Sequence, residues 1–343
     1  MFLTEKELRG QFDALAHTIK TVKVHRAEAA AALANVKTLC VLGCGSSFSL
    51  AKSAATQYSQ HTGKPAWALA AGDLLVNFTT YEKLLRGSTL LVLSRSGSTS
   101  EAVRAASRCK EEFGCKVLSI CAREGSPMEA VADWSLLIPW AFDEAVCQTR
   151  TVSNLYAAAL ALIYVAAGNE DGLARLEALS HFAPTFCNEQ EAVLSQLATS
   201  GWDRAVVLAD GGYAGLAEEG ALAFKEICRR DSNHYHVLDV RHGPMVQIGP
   251  DTLVIAWVSS GDRELQSALL SDIAKKTSHL LVLDLSPAGE ALPGTRIALP
   301  DCGEDDVKAI FALYCIQLLC YHHALSRGVD PDKPEGLDAW IKL

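Results

Sequence analysis

Residues 90–106 read LLVLSRSGSTSEAVRAA, which is an apolar run, a hydroxyl-rich turn and a segment with apolar residues at three- and four-residue spacing. The apolar run predicts a buried strand, and the spacing after the turn predicts one face of a helix. The turn itself, from Ser94 to Thr99, carries four hydroxyl groups in six residues. A strand, a turn and a helix in this order favour an α/β protein built around a parallel sheet.

The rest of the first half repeats this pattern. Short apolar runs that end at Gly, Ser or Pro predict buried parallel strands. The stretches between them carry apolar residues at helical spacing and predict crossover helices that cover the sheet. The predicted strands of this half are Thr38–Leu42, Thr89–Leu93, Lys116–Cys121 and Ser135–Pro139.

The second half presents the same order of elements. Its predicted strands are Ala205–Ala209, Leu253–Val258, Leu280–Asp284 and Arg296–Pro300. Three pairs of landmarks keep nearly the same offset, which is 166 residues from Gly45 to Gly211, 164 from Ser96 to Ser260 and 161 from Pro139 to Pro300. A near-constant offset indicates a duplicated domain. The alternative is that two unrelated α/β domains space their strands alike.

The pattern divides the chain into five segments. Residues 1–36 are predicted to be helical, and residues 37–170 and 199–330 are predicted to form two tandem three-layer αβα domains. Residues 171–198 are predicted to be a helical linker, within a helix-rich region that begins near Thr151. Residues 331–343 are expected to form a C-terminal tail that closes the site.

Composition excludes several classes of protein. A formal net charge of −9, without a Lys/Arg-rich block, argues against nucleic-acid binding. Eleven cysteines without a CxxC pair disfavour a disulfide framework or a zinc site and are typical of the reducing cytosol. The N-terminus is charged and amphipathic rather than a signal peptide, and no apolar run reaches the roughly 18 residues of a membrane span. We therefore expect a cytoplasmic protein that binds neither membranes nor nucleic acids.

Two hydroxyl-rich loops follow predicted strands of the first half. In an open parallel sheet, ligands bind beyond the carboxyl ends of the strands, where helix N-termini point. The hydroxyls and backbone N–H groups of two neighbouring loops can hold one phosphate without a lysine, whereas serines that only cap helices are the simpler alternative. The predicted phosphate-binding residues are Gly45, Ser46, Ser47, Ser94, Ser96, Ser98 and Thr99.

Competing motifs do not fit. The sequence from Gly43 begins a GxGxxG but has Phe48 at the third glycine, and no acidic residue follows about twenty positions later at a strand end, which disfavours a dinucleotide. The sequence contains no GxxxxGK[ST], and neither serine loop reads GxSxG, so the P-loop and hydrolase-elbow readings are also excluded.

The two loops resemble the paired phosphate loops of the sugar isomerase (SIS) domain family. The tandem halves are similar to the isomerase half of glucosamine-6-phosphate synthase. In the second half, residues 218–227 (EEGALAFKEI) resemble the family's E-G-A-L-x-x-K-E-I helix, and residues 241–245 (RHGPM) resemble its H-G-P motif. The resemblance implies flavodoxin/Rossmann-like domains, each with a mostly five-stranded parallel sheet.

The resemblance also implies the catalytic residues. Glu226 is the expected base that moves a proton between C1 and C2 of an open-chain sugar phosphate, and His242 is expected to open the sugar ring. In the family this histidine reaches the neighbouring subunit's site, which implies a homodimer at least. Residues 143–150 (DEAVCQTR) resemble the loop that closes over the sugar, so Glu144, Gln148 and Thr149 are candidate substrate contacts.

The resemblance implies no cofactor. His234 and His236 stand in a short His-Tyr-His run, but no carboxylate or cysteine partner has a spacing that indicates a metal site. Isomerisation of this kind requires no metal. We therefore interpret both histidines as structural or substrate-lining residues.

Departures from the synthase narrow the expected reaction. The chain begins directly with a predicted helix, so we expect no glutamine-hydrolysing domain. Ala339 in the tail and Ala223 in the helix stand where the synthase carries lysines, which makes a full aminotransferase doubtful. Fructosamine-6-phosphate deglycases and amino-sugar-phosphate deaminase/isomerases of the galactosamine-catabolic type are the better match. An aldose/ketose phosphosugar isomerase without amine chemistry and a non-catalytic phosphosugar-binding regulator remain alternatives.

Overall fold

The chain opens with helices, as its pattern predicts. The computed structural model describes residues 1–289 and 291–338, and its first elements are α1 (Leu3–Arg9), α2 (Gln11–Val24) and α3 (Arg26–Leu33). The buried residues of α2 include Phe12, Leu15, Ile19 and Val22. Their three- and four-residue spacing forms the apolar stripe by which an amphipathic helix packs on a core.

The first sheet is five-stranded and parallel, in the order β2-β1-β3-β4-β5. Its strands are β1 (Leu39–Gly43), β2 (Ala66–Ala70), β3 (Thr89–Ser94), β4 (Lys116–Cys121) and β5 (Trp134–Leu137). The intervening helices are α4 (Ser46–Thr62), α5 (Ala71–Val76), α6 (Glu82–Leu85), α7 (Ser100–Phe113) and α8 (Pro127–Val131). Every residue of β1 and of β3 is buried, as expected for strands covered on both faces by helices.

The edge strand β2 is the element of this sheet that sequence patterns missed. It reads AWALA, and of its residues only Leu69 is fully buried while Trp67 is 55% exposed. Alanine favours helix over strand, so the sequence of this stretch cannot be distinguished from the helical patterns on either side of it.

Two long helices follow the first sheet, α9 (Arg150–Ala167) and α10 (Glu170–Ala198). They account for the helix-rich region that was predicted to begin near Thr151. Pro184 lies inside α10.

The second sheet repeats the first. It is parallel and five-stranded, and read from one edge its order is β7-β6-β8-β9-β10. The strands are β6 (Arg204–Leu208), β7 (Ser232–Tyr235), β8 (Thr252–Val258), β9 (Leu280–Asp284) and β10 (Thr295–Ala298), and the helices are α11 (Ala214–Ile227), α12 (Arg263–Ala274) and α13 (Asp305–Ser326). Corresponding strands of the two sheets start 161 to 166 residues apart, which confirms the duplication predicted from the landmarks.

Contacts divide the chain into two compact units. One contains residues 9–144 and 148–180, and with them the first sheet. The other contains residues 1–8, 145–147 and 181–337, and with them the second sheet. The five segment boundaries given above stay predictions.

Two helices, α9 and α13, are long and apolar enough by length and composition to cross a membrane. In the protein, 78% of α9 and 83% of the apolar window of α13 are buried. Composition alone is weak evidence for a membrane span, because the core helices of a globular protein pass the same test.

Candidate functional site

The two predicted phosphate loops lie side by side at the carboxyl edge of the first sheet. Strands β1 and β3 are parallel neighbours, with Leu42 opposite Val92. The first loop therefore leaves β1 at Gly43 close to the point where the second leaves β3 at Ser94. This is the edge at which parallel α/β sheets bind their ligands.

A close backbone approach shapes the first loop. A Cβ atom on Gly43 would lie 2.4 Å from the backbone carbon and oxygen of Ser47, so only glycine fits there. Gly45 has a φ of +51°, in a region that favours glycine. These two positions set Ser46 and Ser47 into the first turn of α4, where both are buried.

The second loop is organised by its own hydroxyl groups. The Oγ of Ser94 accepts a hydrogen bond from the Gly97 N–H at 2.9 Å, and the Oγ of Ser96 accepts one from the Ser98 N–H at 3.1 Å. Ser94 and Ser96 are 4% and 2% exposed. A hydroxyl that accepts in this way keeps its own proton to donate, so both side chains are held ready to bind an acceptor.

The remaining predicted members of this loop play different parts. The Oγ of Ser98 donates to the backbone oxygen of Ser96 at 3.1 Å, so its proton is already used within the loop. Thr99 is the N-cap residue of α7, but its side chain makes no capping bond. The loop therefore places a hydroxyl at the N-terminus of a 14-residue helix, where the helix dipole favours an anion.

A buried arginine that the sequence patterns did not single out lies in the same loop. Arg95 is 4% exposed, and its guanidinium carbon lies 6.0 Å from the centroid of the Phe142 ring. Its positive charge also acts on Asp143. The signal that was available is a charged residue in a turn otherwise composed of serine, glycine and threonine.

Asp143 organises the loop that was predicted to close over the sugar. It is buried, and its Oδ2 accepts hydrogen bonds from the N–H groups of Thr149 and Thr151, both at 2.8 Å. Burial raises the pKa of Asp143, while these N–H groups, Arg150 and Arg95 act in the opposite direction.

The structure separates the three candidate substrate contacts of this loop. Glu144 is exposed and lines a cleft of about 630 Å³, together with Arg123, Glu124 and Phe142. Gln148 and Thr149 do not line that cleft. The Oε1 of Gln148 is buried and, among the residues that the structure describes, has no hydrogen-bond partner.

The predicted base Glu226 lies in the second unit, near the end of α11, and is half-buried. It lines a pocket of about 460 Å³. Besides Glu226, the pocket is lined by Leu222, Lys225, Arg229, Arg230, Asp231 and residues 334–337 of the tail. The carboxylate of Glu226 therefore shares its pocket with three cationic side chains and with the carboxylate of Asp231, and its role as the base stays a prediction.

The start of the tail is fixed to the N-terminal helix of the same unit. The carboxylate of Asp332 accepts hydrogen bonds from the backbone N–H groups of Leu3 and Thr4, at 2.8 and 2.7 Å. This anchor places residues 334–337 against the pocket. Ala339, which stands where the synthase carries a lysine, lies outside the described residues.

The structure does not bring His242 to the pocket of Glu226. His242 is exposed, it follows a short turn at Asp239–Arg241, and its N–H donates to the Asp239 oxygen at 2.8 Å. It is absent from the residues that line the pocket. Its role in a neighbouring subunit's site stays a prediction.

Both histidines of the His-Tyr-His run contact residues that directly follow β6. The Nδ1 of His236 lies 2.9 Å from the Oδ1 of Asp210, and the Nε2 of His234 lies 3.3 Å from the Ala209 oxygen. Within residues 1–289 and 291–338, no three His, Cys, Asp or Glu side chains are grouped so as to hold a metal ion.

The second sheet carries a different loop where the first carries Ser94 to Thr99. Here the N–H of Ser260 donates to the Oδ2 of Asp305 at 2.7 Å, and the hydroxyl of Ser286 donates to its Oδ1 at 2.8 Å. A carboxylate of the protein therefore satisfies the donors that an anion would need. The two halves therefore differ at this edge, because the loop of the second sheet contacts a carboxylate of the protein.

The protein is a tandem α/β protein with hydroxyl-rich loops at the carboxyl edge of its first sheet, and comparison with known proteins agrees with this architecture. Residues 32–165 match the family model described as the SIS domain. The strands of the first sheet lie within this segment, which therefore resembles a SIS domain.

Curated relatives extend the similarity over nearly the whole chain. The glutamine–fructose-6-phosphate aminotransferase (isomerizing) of Vibrio cholerae is 27% identical over 334 residues, which is 93% of this chain and 53% of that protein. The Brucella abortus enzyme of the same name is 26% identical, over 97% of this chain and 57% of its own length. The chain spans about half the length of these relatives.

Solved structures show the same fold. A glucosamine-6-phosphate deaminase from Thermotoga maritima matches with a TM-score of 0.83 and 24% identity, covering 99% of this chain and 100% of that one. A tagatose-6-phosphate ketose/aldose isomerase from Escherichia coli matches with a TM-score of 0.84 and 22% identity, covering 98% and 96% of the two chains. These matches confirm the predicted pair of three-layer domains with five-stranded parallel sheets.

Proposed function

We propose that this protein is an enzyme that converts an aminated sugar 6-phosphate, as a deglycase or a deaminase/isomerase, by moving a proton between C1 and C2. The observation that carries the proposal is the pair of hydroxyl-rich loops at the ends of β1 and β3. The buried hydroxyls of Ser94 and Ser96 keep protons to donate, Ser46 and Ser47 are buried in the first loop, and α4 and α7 begin in the same loops. Donors and helix N-termini of this kind fit a phosphate group.

Glu226 supplies the base in this proposal. Removing a proton from one of C1 and C2 and returning it to the other converts the amine of an open-chain amino-sugar phosphate into an imine. Water then adds to the imine carbon, the carbon–nitrogen bond breaks, and the amine and a sugar phosphate are released. The reaction needs one carboxylate beside both carbons, and Glu226 lines a partly enclosed pocket of suitable size.

The relatives support this class of substrate. The Vibrio cholerae relative is named for fructose 6-phosphate, and the fold neighbours from Thermotoga maritima and Escherichia coli are named for glucosamine 6-phosphate and tagatose 6-phosphate. All three names contain a hexose 6-phosphate. Two of the proteins are also named for amine chemistry, which favours an aminated substrate over a plain sugar phosphate.

His242 opens the sugar ring in this proposal, and it acts in the site of a second copy of the chain. Because His242 is exposed, it is accessible to a second copy of the chain. A complementation experiment tests the shared site. When Glu226→Gln and His242→Asn chains are co-expressed, half of the dimers are mixed and each mixed dimer has one intact site, so about a quarter of the wild-type activity should return. Activity no higher than that of the separate variants would contradict the shared site.

A substrate panel tests the reaction. The protein is incubated with glucosamine, galactosamine and fructosamine 6-phosphates and with fructose and tagatose 6-phosphates, and free ammonia, free amine and ketose are measured separately. Release of ammonia or amine with formation of a sugar phosphate is the expected result. Interconversion of aldose and ketose phosphates alone would favour the isomerase without amine chemistry. Binding without turnover of any compound would favour the phosphosugar-binding regulator.

A further inference from the structure

The pocket that contains Glu226 is lined by three cationic side chains, two of them arginines, and by three carboxylates. The chain leaves α11 through Arg229 and Arg230, and both side chains line the pocket. A base that moves a proton between two carbons does not require two guanidinium groups beside it. Each arginine has one exposed carboxylate of the protein as its partner, Glu335 for Arg229 and Asp203 for Arg230, and an anionic group of a ligand can compete with such exposed partners.

The backbone at Arg229 is unfavourable for its residue type. Its φ is +55°, and within residues 1–289 and 291–338 it is the one residue other than glycine with a positive φ. A helix that ends in this conformation usually has glycine there. Non-glycine residues in this region are strained, and such strain is found most often at functional sites. The arginine side chain is therefore retained at a cost in stability.

Arg230 is held by a partly buried network. Its Nε donates to the Nε2 of His323 at 3.1 Å, and its Nη1 lies 3.1 Å from the Oδ1 of Asp203. The imidazole of His323 is fixed in turn, because its Nδ1 donates to the Ala198 oxygen at 2.7 Å and its ring stacks on Trp202 at 4.0 Å.

The network leaves part of Arg230 available to the pocket. Since Nδ1 of His323 carries the proton, Nε2 is the acceptor, and the imidazole is neutral in this arrangement. Among the described residues, the Nη2 group of Arg230 has no hydrogen-bond partner. A guanidinium fixed on one side and open on the other is preorganised for a planar anion.

Arg229 already has a carboxylate of the protein beside it. The Oε2 of Glu335, in the tail, is 3.4 Å from the Nη1 of Arg229. The Glu335 side chain is 89% exposed, so this ion pair is weak and readily exchanged. The ion pair shows that the Arg229 guanidinium can bind a carboxylate at this position.

We propose that Arg229 and Arg230 form a carboxylate subsite next to Glu226, and that the substrate is an N-linked conjugate of a sugar 6-phosphate with an amino acid. The inference rests on the proposed function and narrows it to the deglycase class. The amino nitrogen at the reacting carbon then lies near Glu226, and the carboxylate of the amino acid binds the two guanidinium groups. Leu222 and Leu337 in the same pocket suit the apolar part of such a conjugate.

Two probes that differ only in the carboxylate test the subsite. They are the 1-amino-1-deoxyfructose 6-phosphates conjugated through nitrogen to glycine and to methylamine. Dissociation constants are measured by calorimetry, and turnover is measured by release of free amine. The wild type should bind the glycine conjugate at least about tenfold more tightly, which corresponds to one or two charged hydrogen bonds.

The variants separate recognition from folding. Arg229→Gly should raise the melting temperature because it removes the strain, and it should lower the preference for the glycine conjugate. Arg230→Gln should abolish the preference. Arg230→Lys keeps the positive charge and should keep part of the preference, and it provides the test if Arg230→Gln folds poorly. Arg204→Gln is the matched control, because it removes an exposed ion pair with Asp251 at 2.9 Å in the same unit and should leave the preference unchanged.

The outcomes distinguish this inference from the proposed function. Equal affinity of the wild type for both conjugates would overturn the subsite, even if both were turned over. A preference for the glycine conjugate that both arginine variants lose, without turnover of either conjugate, would support the subsite and count against the proposed reaction. Failure to bind either conjugate would overturn the subsite and the deglycase reaction, while turnover of an amino-sugar phosphate in the substrate panel would still support the deaminase/isomerase.

Discussion

The serine loop after β3 gives the sharpest prediction, because each hydroxyl is assigned two interactions that are measured separately, one by stability and one by affinity. The Oγ of Ser96 accepts the Ser98 N–H at 3.1 Å within the loop, and its own proton is proposed to reach a phosphate oxygen. Ser96→Ala removes both interactions. The loss of the internal hydrogen bond should cost about 1 kcal/mol of stability.

The loss of the donor to phosphate should have a larger effect on binding. A hydrogen bond to a charged group is worth about 1.5–3 kcal/mol. The dissociation constant of fructose 6-phosphate should therefore rise about 10- to 100-fold. Ser94→Ala should behave alike, because the Oγ of Ser94 accepts the Gly97 N–H at 2.9 Å in the same loop. Calorimetry measures the affinity, and urea denaturation measures the stability.

A buried serine elsewhere in the sheet provides the control. Ser119 on β4 is fully buried, and its Oγ lies 2.7 Å from the Oγ of Ser135. Ser119→Ala should cost about 1 kcal/mol of stability and leave the dissociation constant unchanged. Wild-type affinity in both Ser94→Ala and Ser96→Ala would refute the phosphate assignment, and an equal loss in Ser119→Ala would show that the effect is structural.

Three further predictions concern the base, the buried histidine and the glycine of the first loop. Glu226→Gln should lower turnover by about 10²–10⁴-fold and leave phosphosugar affinity nearly unchanged; full activity on every substrate of the wild type would disprove the base assignment. Burial and the charge of Arg230 lower the pKa of His323 below its ordinary 6.5, so folding favours the neutral ring and the wild type should lose stability as the pH falls below about 6.5. His323→Gln should be less stable at pH 7.5 and should lose less on going to pH 5.5, as urea titrations at the two values would show; an unchanged pH dependence would contradict this. Gly43→Ala should destabilise the protein by about 1–3 kcal/mol and weaken phosphosugar binding, because its Cβ would meet the Ser47 backbone at 2.4 Å; wild-type melting and affinity would contradict it.

Two of the buried cysteines in the first unit's core have a role that only the structure assigns. Cys40 on β1 and Cys121 on β4 are fully buried, and burial raises the pKa of each thiol to about 11. Thiols with raised pKa values are poor nucleophiles at neutral pH. We interpret both as small apolar core residues.

The sequence by itself determined the layered fold and its duplication. Strands covered on both faces must be apolar along their whole length, so β1, β3, β8 and β9 were visible as uninterrupted runs. The loops after them were visible because glycine and serine interrupt those runs at the strand ends. Local composition suffices for these features, since they depend on burial and on turns within a few residues.

Only the tertiary structure decided which polar groups meet. The edge strand β7 reads SNHY, and an edge strand that is partly exposed needs no apolar run. Arg230 and His323 are 93 residues apart in the chain, and nothing in either local pattern indicates their contact. The same holds for Arg95 and Asp143, whose charges act on each other in the interior of the first unit. Side-chain contacts between distant segments follow from packing of whole elements, which a local pattern does not encode.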